Sequence, residues 1–183
     1  MKKAAFIDRD GTILKSILKR ITMDGKTQLC PISPHALKEF KLYPKVTESL
    51  VLLKKLGFLR ILVTNQPDVA YGHLCEEDWQ CIQKRIEWLG FDDIFICRHT
   101  RYQKCYFRKP SPGMLLAAAD KWNINLAGSW MIGDTSADTE AGKAAGCKTI
   151  LLARNYNADV KSDYIAKNIW GAVKFIQKHI IKG

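Results

Sequence analysis

No apolar run in this chain approaches the length of a membrane span, no segment repeats, and no low-complexity tract interrupts it. A membrane-spanning or repeat architecture is therefore set aside. Lys2-Lys3 is followed by only a few apolar residues before Asp8 interrupts them, too few for the apolar region of a signal peptide. A cytoplasmic location is the expectation. The six cysteines, at 30, 75, 81, 97, 105 and 147, lack the compact spacing of a secreted disulfide framework, so free thiols or metal ligands are expected before bridges. Acidic residues are scarce, 18 against 29 lysines and arginines, and the net charge of +11 could attract nucleic acid or phosphorylated metabolites. The basic residues are spread from Lys15, Lys19 and Arg20 to Lys174 and Lys178, without the aromatic-interleaved block of a single-strand binder. A solvated basic surface accounts for them.

At 183 residues the chain suits one domain with a core that needs no staples. Apolar, β-prone runs recur at Ala4 to Asp8, Phe58 to Thr64, Ile94 to Cys97, Ser129 to Asp134 and Lys148 to Leu152. Helical patterns fill the gaps. Val46, Leu50, Leu53 and Leu56 mark one stripe, closed by Gly57, and Trp79, Ile82, Ile86 and Leu89 mark another, opened by Glu76-Glu77. Further helices are predicted from Pro112 to Trp122, from Ser136 to Ala145, and around Ile169, Val173, Ile176 and Ile180. Strands alternating with helices imply parallel pairing through right-handed crossovers, hence a three-layer, doubly wound α/β fold. Residues 13 to 45 break the alternation with Pro31, Pro34, Pro44 and Asp24-Gly25. They read as a flap over the first strand, placed to influence substrate choice.

The first strand delivers two carboxylates, Asp8 and Asp10, at its C-terminal end. Alternation points them the same way and Arg9 the other way, while Gly11 and Thr12 let the backbone turn. Two such anions repel unless a divalent cation or a shared proton sits between them. The second strand ends in Thr64-Asn65-Gln66, whose hydroxyl and amides can donate to phosphate oxygens. Arg108-Lys109-Pro110 places adjacent cations before a proline-initiated helix, and the fourth strand ends at Gly133-Asp134, with Asp138 in the next helical turn. An aspartate in a first turn also favours a helix N-terminus in its own right.

Acid pair, hydroxyl and amide, lysine, then further acids, each at or just after a strand end: in this order the chain resembles the haloacid dehalogenase superfamily of aspartate-based phosphatases. Asp-Arg-Asp-Gly-Thr, Thr-Asn-Gln and Arg-Lys-Pro-x-Pro-Gly-Met look like its small-capped branch, which holds heptose bisphosphate and histidinol phosphatases. The resemblance implies one hydrolase domain over 1–183 without a large cap. It implies Asp8 as nucleophile, Asp10 as acid and base, and Thr64, Asn65, Gln66 and Lys109 around the phosphoryl group, with Arg108 reaching a more distant part of the substrate. It further implies Mg²⁺ on the Asp8 carboxylate, the Asp10 carbonyl and Asp134, with Asp138 orienting metal-bound water. A small phosphorylated metabolite, a phosphosugar first, is the expected substrate, and a monomer the expected state.

Cys97-x-His99 and Cys105, within a loop at 97–110, resemble the zinc loop of the heptose bisphosphate phosphatases, except that Phe107 stands where the fourth ligand falls. Zn²⁺ is one reading, with Cys30, His73, Cys75 or Cys81 available as a fourth ligand. A metal-free loop packed through Tyr106 and Phe107 is the other. Thr135 and Pro67-Asp68 depart from the heptose enzymes' pattern. A nucleic-acid 3′-phosphate end, which the basic balance would suit, is the competing substrate, and a non-catalytic phosphate-binding module the competing class.

Overall fold

In the computed structural model, which describes residues 1–23 and 26–181, β1 (Lys3–Ile7) runs through the middle of a six-stranded sheet. Its side chains alternate between two hydrophobic layers, Ala5 and Ile7 in one, Ala4 and Phe6 in the other. A strand covered on both faces has no polar positions to spare, which is why the run is continuously apolar. β4 (Phe58–Asn65) pairs with one edge of β1, and β5 (Asp93–Cys97) pairs with β4. On the other edge lie β6 (Trp130–Gly133), β7 (Lys148–Leu152) and β8 (Tyr164–Ala166), all parallel. The order β5-β4-β1-β6-β7-β8 reverses direction at β1. In open α/β sheets ligands bind in the crevice at the strands' carboxyl ends where that reversal occurs.

Helices cover both faces. α1 (Val46–Lys55), α2 (Glu76–Glu87) and α5 (Ile169–Ile181) bury Leu50, Ile82 and Val173 in the layer that holds Ile7. α3 (Gly113–Trp122) and α4 (Ser136–Ala144) bury Met114 and Ala141 in the layer that holds Phe6. The doubly wound three-layer fold predicted from the alternation is the one observed. Gly57, at φ +80°, takes the left-handed turn that stops α1 and starts β4.

Boundaries moved where polar side chains competed for the backbone. Ser129 stays outside β6, its hydroxyl donating to Asn125 O at 2.6 Å and accepting from Ala4 N at 2.9 Å. Pro112 precedes α3 instead of opening it. β8 was not predicted, because three residues carry no measurable periodicity.

The segment read as a flap over 13–45 is more ordered than its prolines suggest. Ile13 and Leu14 belong to the buried core, so they are not flap residues. β2 (Ile17–Met23) and β3 (Lys26–Ile32) then form an antiparallel hairpin separate from the main sheet. The Asp24-Gly25 turn lies outside the described residues. Backbone bonds from Lys15 N to Lys41 O and from Tyr43 N to Ile13 O, each 2.8 Å, fix the root of the insertion beside the end of β1. No helix among the described residues is long and apolar enough to cross a membrane.

Candidate active site

The ends of β1 and β4 and the first turn of α4 converge on one buried ammonium group. Lys109 reaches in from the loop before α3, and its Nζ donates to Asp8 Oδ1 at 2.5 Å, to Asp138 Oδ1 at 2.5 Å and to the Val63 carbonyl at 2.8 Å. All three of its protons are thereby placed. Asp8 follows β1 directly, and its amide donates to Ile132 O at 2.9 Å, which ties it to β6. Asp138 is doubly committed: its other oxygen accepts from the Thr135 amide at 3.0 Å and hydroxyl at 2.6 Å, a capping box that starts α4. Its helix-starting role and its place in the site are compatible, because each uses a different oxygen.

Asp134 sits directly after β6, accepting from the Tyr156 hydroxyl and from Thr12 Oγ1 at 3.3 Å. The fit is close. A side chain at Gly133 would collide with Asp138, and one at Gly11, already at φ +79°, would collide with Asp134. Oxygens of Asp8, Asp134 and Asp138 all lie within 4.8 Å of one another. Burial pushes the Asp8 carboxyl well above its ordinary range, and the Asp138 and Asp134 charges add to it against the opposing pull of Lys109. Burial, then Asp138, pushes Asp134 up to about 6. Burial disfavours the Lys109 charge, but Asp138 and Asp8 outweigh it and raise the lysine above its usual value. One ammonium thus faces three buried carboxylates, and the site carries excess negative charge.

Asp10 lines the same cavity as Asp8, as alternation predicted, but it is not the anion that crowds Asp8. Arg9 Nε donates to both Asp10 oxygens at 3.2 Å, Ser33 Oγ donates at 3.1 Å and Gln66 Nε2 at 2.5 Å. The repelling set expected of Asp8 and Asp10 is instead Asp8, Asp134 and Asp138. Arg9 does leave the Asp8 face, stacking 5.6 Å from the Trp79 ring and donating to Gln83 at 3.1 Å, yet it is fully buried and bends back to neutralise Asp10.

Other expected substrate contacts make hydrogen bonds within the protein. Thr64 keeps its place: its oxygen accepts from Gln66 at 3.0 Å, which leaves the hydroxyl proton available in the cavity. Gln66 is buried and bonds Asp10, Thr64 and Arg9. Asn65 lines the cavity, but its amide bonds both ways with the Lys109 backbone, at 2.9 and 3.1 Å. It places the lysine loop. Arg108 donates to His99 O at 2.9 Å and is not among the residues lining the cavity of about 290 Å³ that Asp8 and Asp10 border. Sequence reasoning overlooked the residues that support Asp134 and the β1 turn: Tyr156 donates to Asp134, Asn157 to Asp134 O at 2.7 Å and Arg154 to Gly11 O at 2.5 Å. Arg154-Asn155-Tyr156-Asn157 lies in an aperiodic loop after β7, and only a run of polar residues at a strand's carboxyl end could have marked it.

Cys97, His99 and Cys105 do come together. Cys97 Sγ lies 3.7 Å from His99 Nδ1 and 3.7 Å from Cys105 Sγ, and burial pushes its thiol up. Phe107 is turned toward solvent and offers no donor atom. Among the described residues no fourth His, Cys or carboxylate joins this set, and His73, one candidate for that place, sits elsewhere with His35 and Asp68.

Residues 106–172 match the HAD-hydrolase-like family model. A D-glycero-beta-D-manno-heptose-1,7-bisphosphate 7-phosphatase of Pasteurella multocida is 31% identical over 97% of this chain and 98% of its own length. One from Vibrio cholerae is 34% identical over 84% of this chain and 82% of its own. The crystal structure of D,D-heptose 1,7-bisphosphate phosphatase from B. bronchiseptica, complexed with magnesium and phosphate, superposes with a TM-score of 0.78 at 22% identity, covering 97% of this chain and 99% of that one. The chain belongs to the haloacid dehalogenase-like hydrolases. Within them it is a phosphatase, grouped with the heptose bisphosphate phosphatases.

Removing Lys109 strands the two carboxylates it bonds, Asp8 and Asp138, beside the buried Asp134. Lys109→Met is expected to lower unfolding free energy at neutral pH by about 3–5 kcal/mol, the cost of breaking a buried ion pair from one side. The deficit should shrink toward pH 5, below the value of about 6 to which the Asp134 carboxyl is raised. Urea unfolding at both pH values measures this, and a pH-independent deficit contradicts it.

Proposed function

We propose that the chain hydrolyses a phosphomonoester through an aspartyl-phosphate on Asp8, with a phosphorylated sugar as substrate. The observation that carries this reading is the Lys109 ammonium held against Asp8 at the floor of a cavity bordered by Thr64 and Asp10. Asp8 attacks phosphorus through a carboxylate oxygen, and the bond to the leaving oxygen breaks as Asp10 passes that oxygen a proton. Water then attacks the acyl phosphate and yields its proton to Asp10. Inorganic phosphate leaves and Asp8 is restored. Lys109 and the Thr64 hydroxyl hold the phosphoryl oxygens through both steps. Arg9, Gln66 and Ser33 keep Asp10 directed at the cavity while its proton comes and goes.

The donor set also fits a divalent cation. Buried carboxylates in excess of the single ammonium present hard oxygens and uncompensated charge, the chemistry that Mg²⁺ prefers. Asp8 and Asp134, with the Asp10 carbonyl, would hold it, and Asp138 would orient its water. When bound it supplies charge neutralisation for the phosphoryl oxygens. The Cys97, His99 and Cys105 set suits a softer cation such as Zn²⁺, with a fourth position left for a group other than Phe107.

The relatives' names favour a heptose 1,7-bisphosphate as substrate, and the cavity of about 290 Å³ suits a small metabolite. Asp8→Asn keeps the shape of the nucleophile and should reduce magnesium-dependent phosphate release from this sugar at least a thousandfold while circular dichroism shows the fold retained. Undiminished release contradicts the nucleophile. Full activity on a 3′-phosphorylated oligonucleotide with none on the sugar overturns the substrate.

Magnesium affinity should be pH-dependent with a defined sign. The raised Asp134 carboxyl contributes stability to the metal-free protein below its ordinary value of 3.8, and that contribution is lost as the pH rises through about 6. Cation binding needs the deprotonated form. Stabilisation by Mg²⁺ should therefore be larger at pH 7.5 than at pH 5.5, and proton release should accompany binding in calorimetry. Equal thermal shifts at both pH values contradict the assignment.

A further inference from the structure

A second group of metal-ligating side chains lies outside the catalytic cavity. Asp68 Oδ1 is 3.5 Å from His35 Nε2 and 3.5 Å from His73 Nδ1. The two imidazole rings stack at 5.1 Å between centroids, 28° apart, and the three ligand atoms lie within 4.8 Å of one another. We propose that His35, Asp68 and His73 bind a borderline divalent cation of the zinc class.

The distances favour coordination over ion pairing. A charged N–H···O bond to a carboxylate closes to about 2.7–2.9 Å, so neither imidazole is seated on Asp68 as a hydrogen-bonding partner. Ligand atoms about 2.0–2.1 Å from a tetrahedral ion are about 3.3–3.4 Å from each other, close to both observed separations. Both nitrogens approach one and the same carboxylate oxygen, which places a cation's three donors on one side and leaves its remaining position open. An anion in this place would meet the Asp68 carboxylate first. Imidazole and carboxylate together suit zinc, whereas Mg²⁺ prefers an all-oxygen shell.

The ligands are held without the ion. His73 N donates to Asp68 O at 2.8 Å and Tyr71 N to Pro67 O at 2.9 Å, winding the loop after β4 so that Asp68 and His73 share a side. His35, just past the hairpin, is fixed by its amide donating to Glu39 at 2.8 Å. Asp68 and His35 side chains are mostly buried, at 14% and 18% exposure, while His73 stands at the rim. They line a cavity of about 420 Å³ that shares Ser33 with the catalytic one. The open position is available to water or to an anionic group of a molecule bound there.

Cobalt titration of the chelator-stripped full chain, in excess Mg²⁺ to occupy the carboxylate site, tests this. The prediction is a Co²⁺ that gives visible d–d bands without thiolate-to-cobalt charge transfer, and whose affinity falls at least a hundredfold in Asp68→Asn. Any cobalt on Cys97 and Cys105 announces itself by that charge transfer. Imidazole NMR of the unsubstituted chain, which has four histidines, provides a readout free of variant misfolding. One equivalent of Zn²⁺ beyond any thiolate-bound ion should shift the ring resonances of His35 and His73 together and leave His179 unmoved. Cobalt confined to thiolate ligation, an affinity indifferent to Asp68→Asn, or histidine signals that stay in place would overturn the site.

Discussion

The Lys109 ammonium, closed off from water between Asp8, Asp138 and the Val63 carbonyl, is the constraint on which the rest of the site depends. Burying a charge is tolerable only when it is fully paired, and here the pairing draws in groups that belong to β1, β4 and α4. Their meeting point is the place where the sheet order reverses, so the topology alone brings these residues together. Because Asp8 and Asp138 share one lysine beside the buried Asp134, the compensation is incomplete, and burial holds Asp8 and Asp134 above their ordinary range. In the proposed function, that incomplete compensation is what a divalent cation would complete.

Around that centre stands a layer of residues that aim others. Gln66 and Arg9 hold Asp10, Asn65 holds the Lys109 backbone, Thr135 holds Asp138, and Tyr156 with Asn157 holds Asp134. Such bonds fix each acid's direction before anything binds, which reduces the reorganisation left for the reaction. No buried side-chain nitrogen or oxygen among the described residues lacks a partner, so the site is stiff as well as charged.

What the sequence disclosed follows from which signals are local. Continuous apolar strands, helical stripes and the glycine after α1 act through neighbours in the chain, and they led to the doubly wound sheet with errors of a residue or two. Asp8, Thr64 and Asp134 were legible because each lies at or just after the end of a strand, and Lys109 and Asp138 because they lie just before a helix or in its first turn. The internal bonds of Gln66, Asn65 and Arg108 were not legible, since an amide's partner can be as remote in sequence as Lys109, 44 residues from Asn65. β2 and β3 were hidden for a similar reason: they pair with each other and not with the main sheet. Departures from the heptose enzymes' pattern at Pro67-Asp68 fall at the cavity beside the active site, where Asp68 faces two histidines instead of the catalytic group.

The most direct test of the central claim is a crystal structure grown with magnesium and beryllium fluoride, which mimics a phosphoryl group on a carboxylate. The account predicts a trifluoroberyllate on the free oxygen of Asp8, touched by Lys109 and the Thr64 hydroxyl. A fully occupied magnesium site beside an unmodified Asp8 would contradict it.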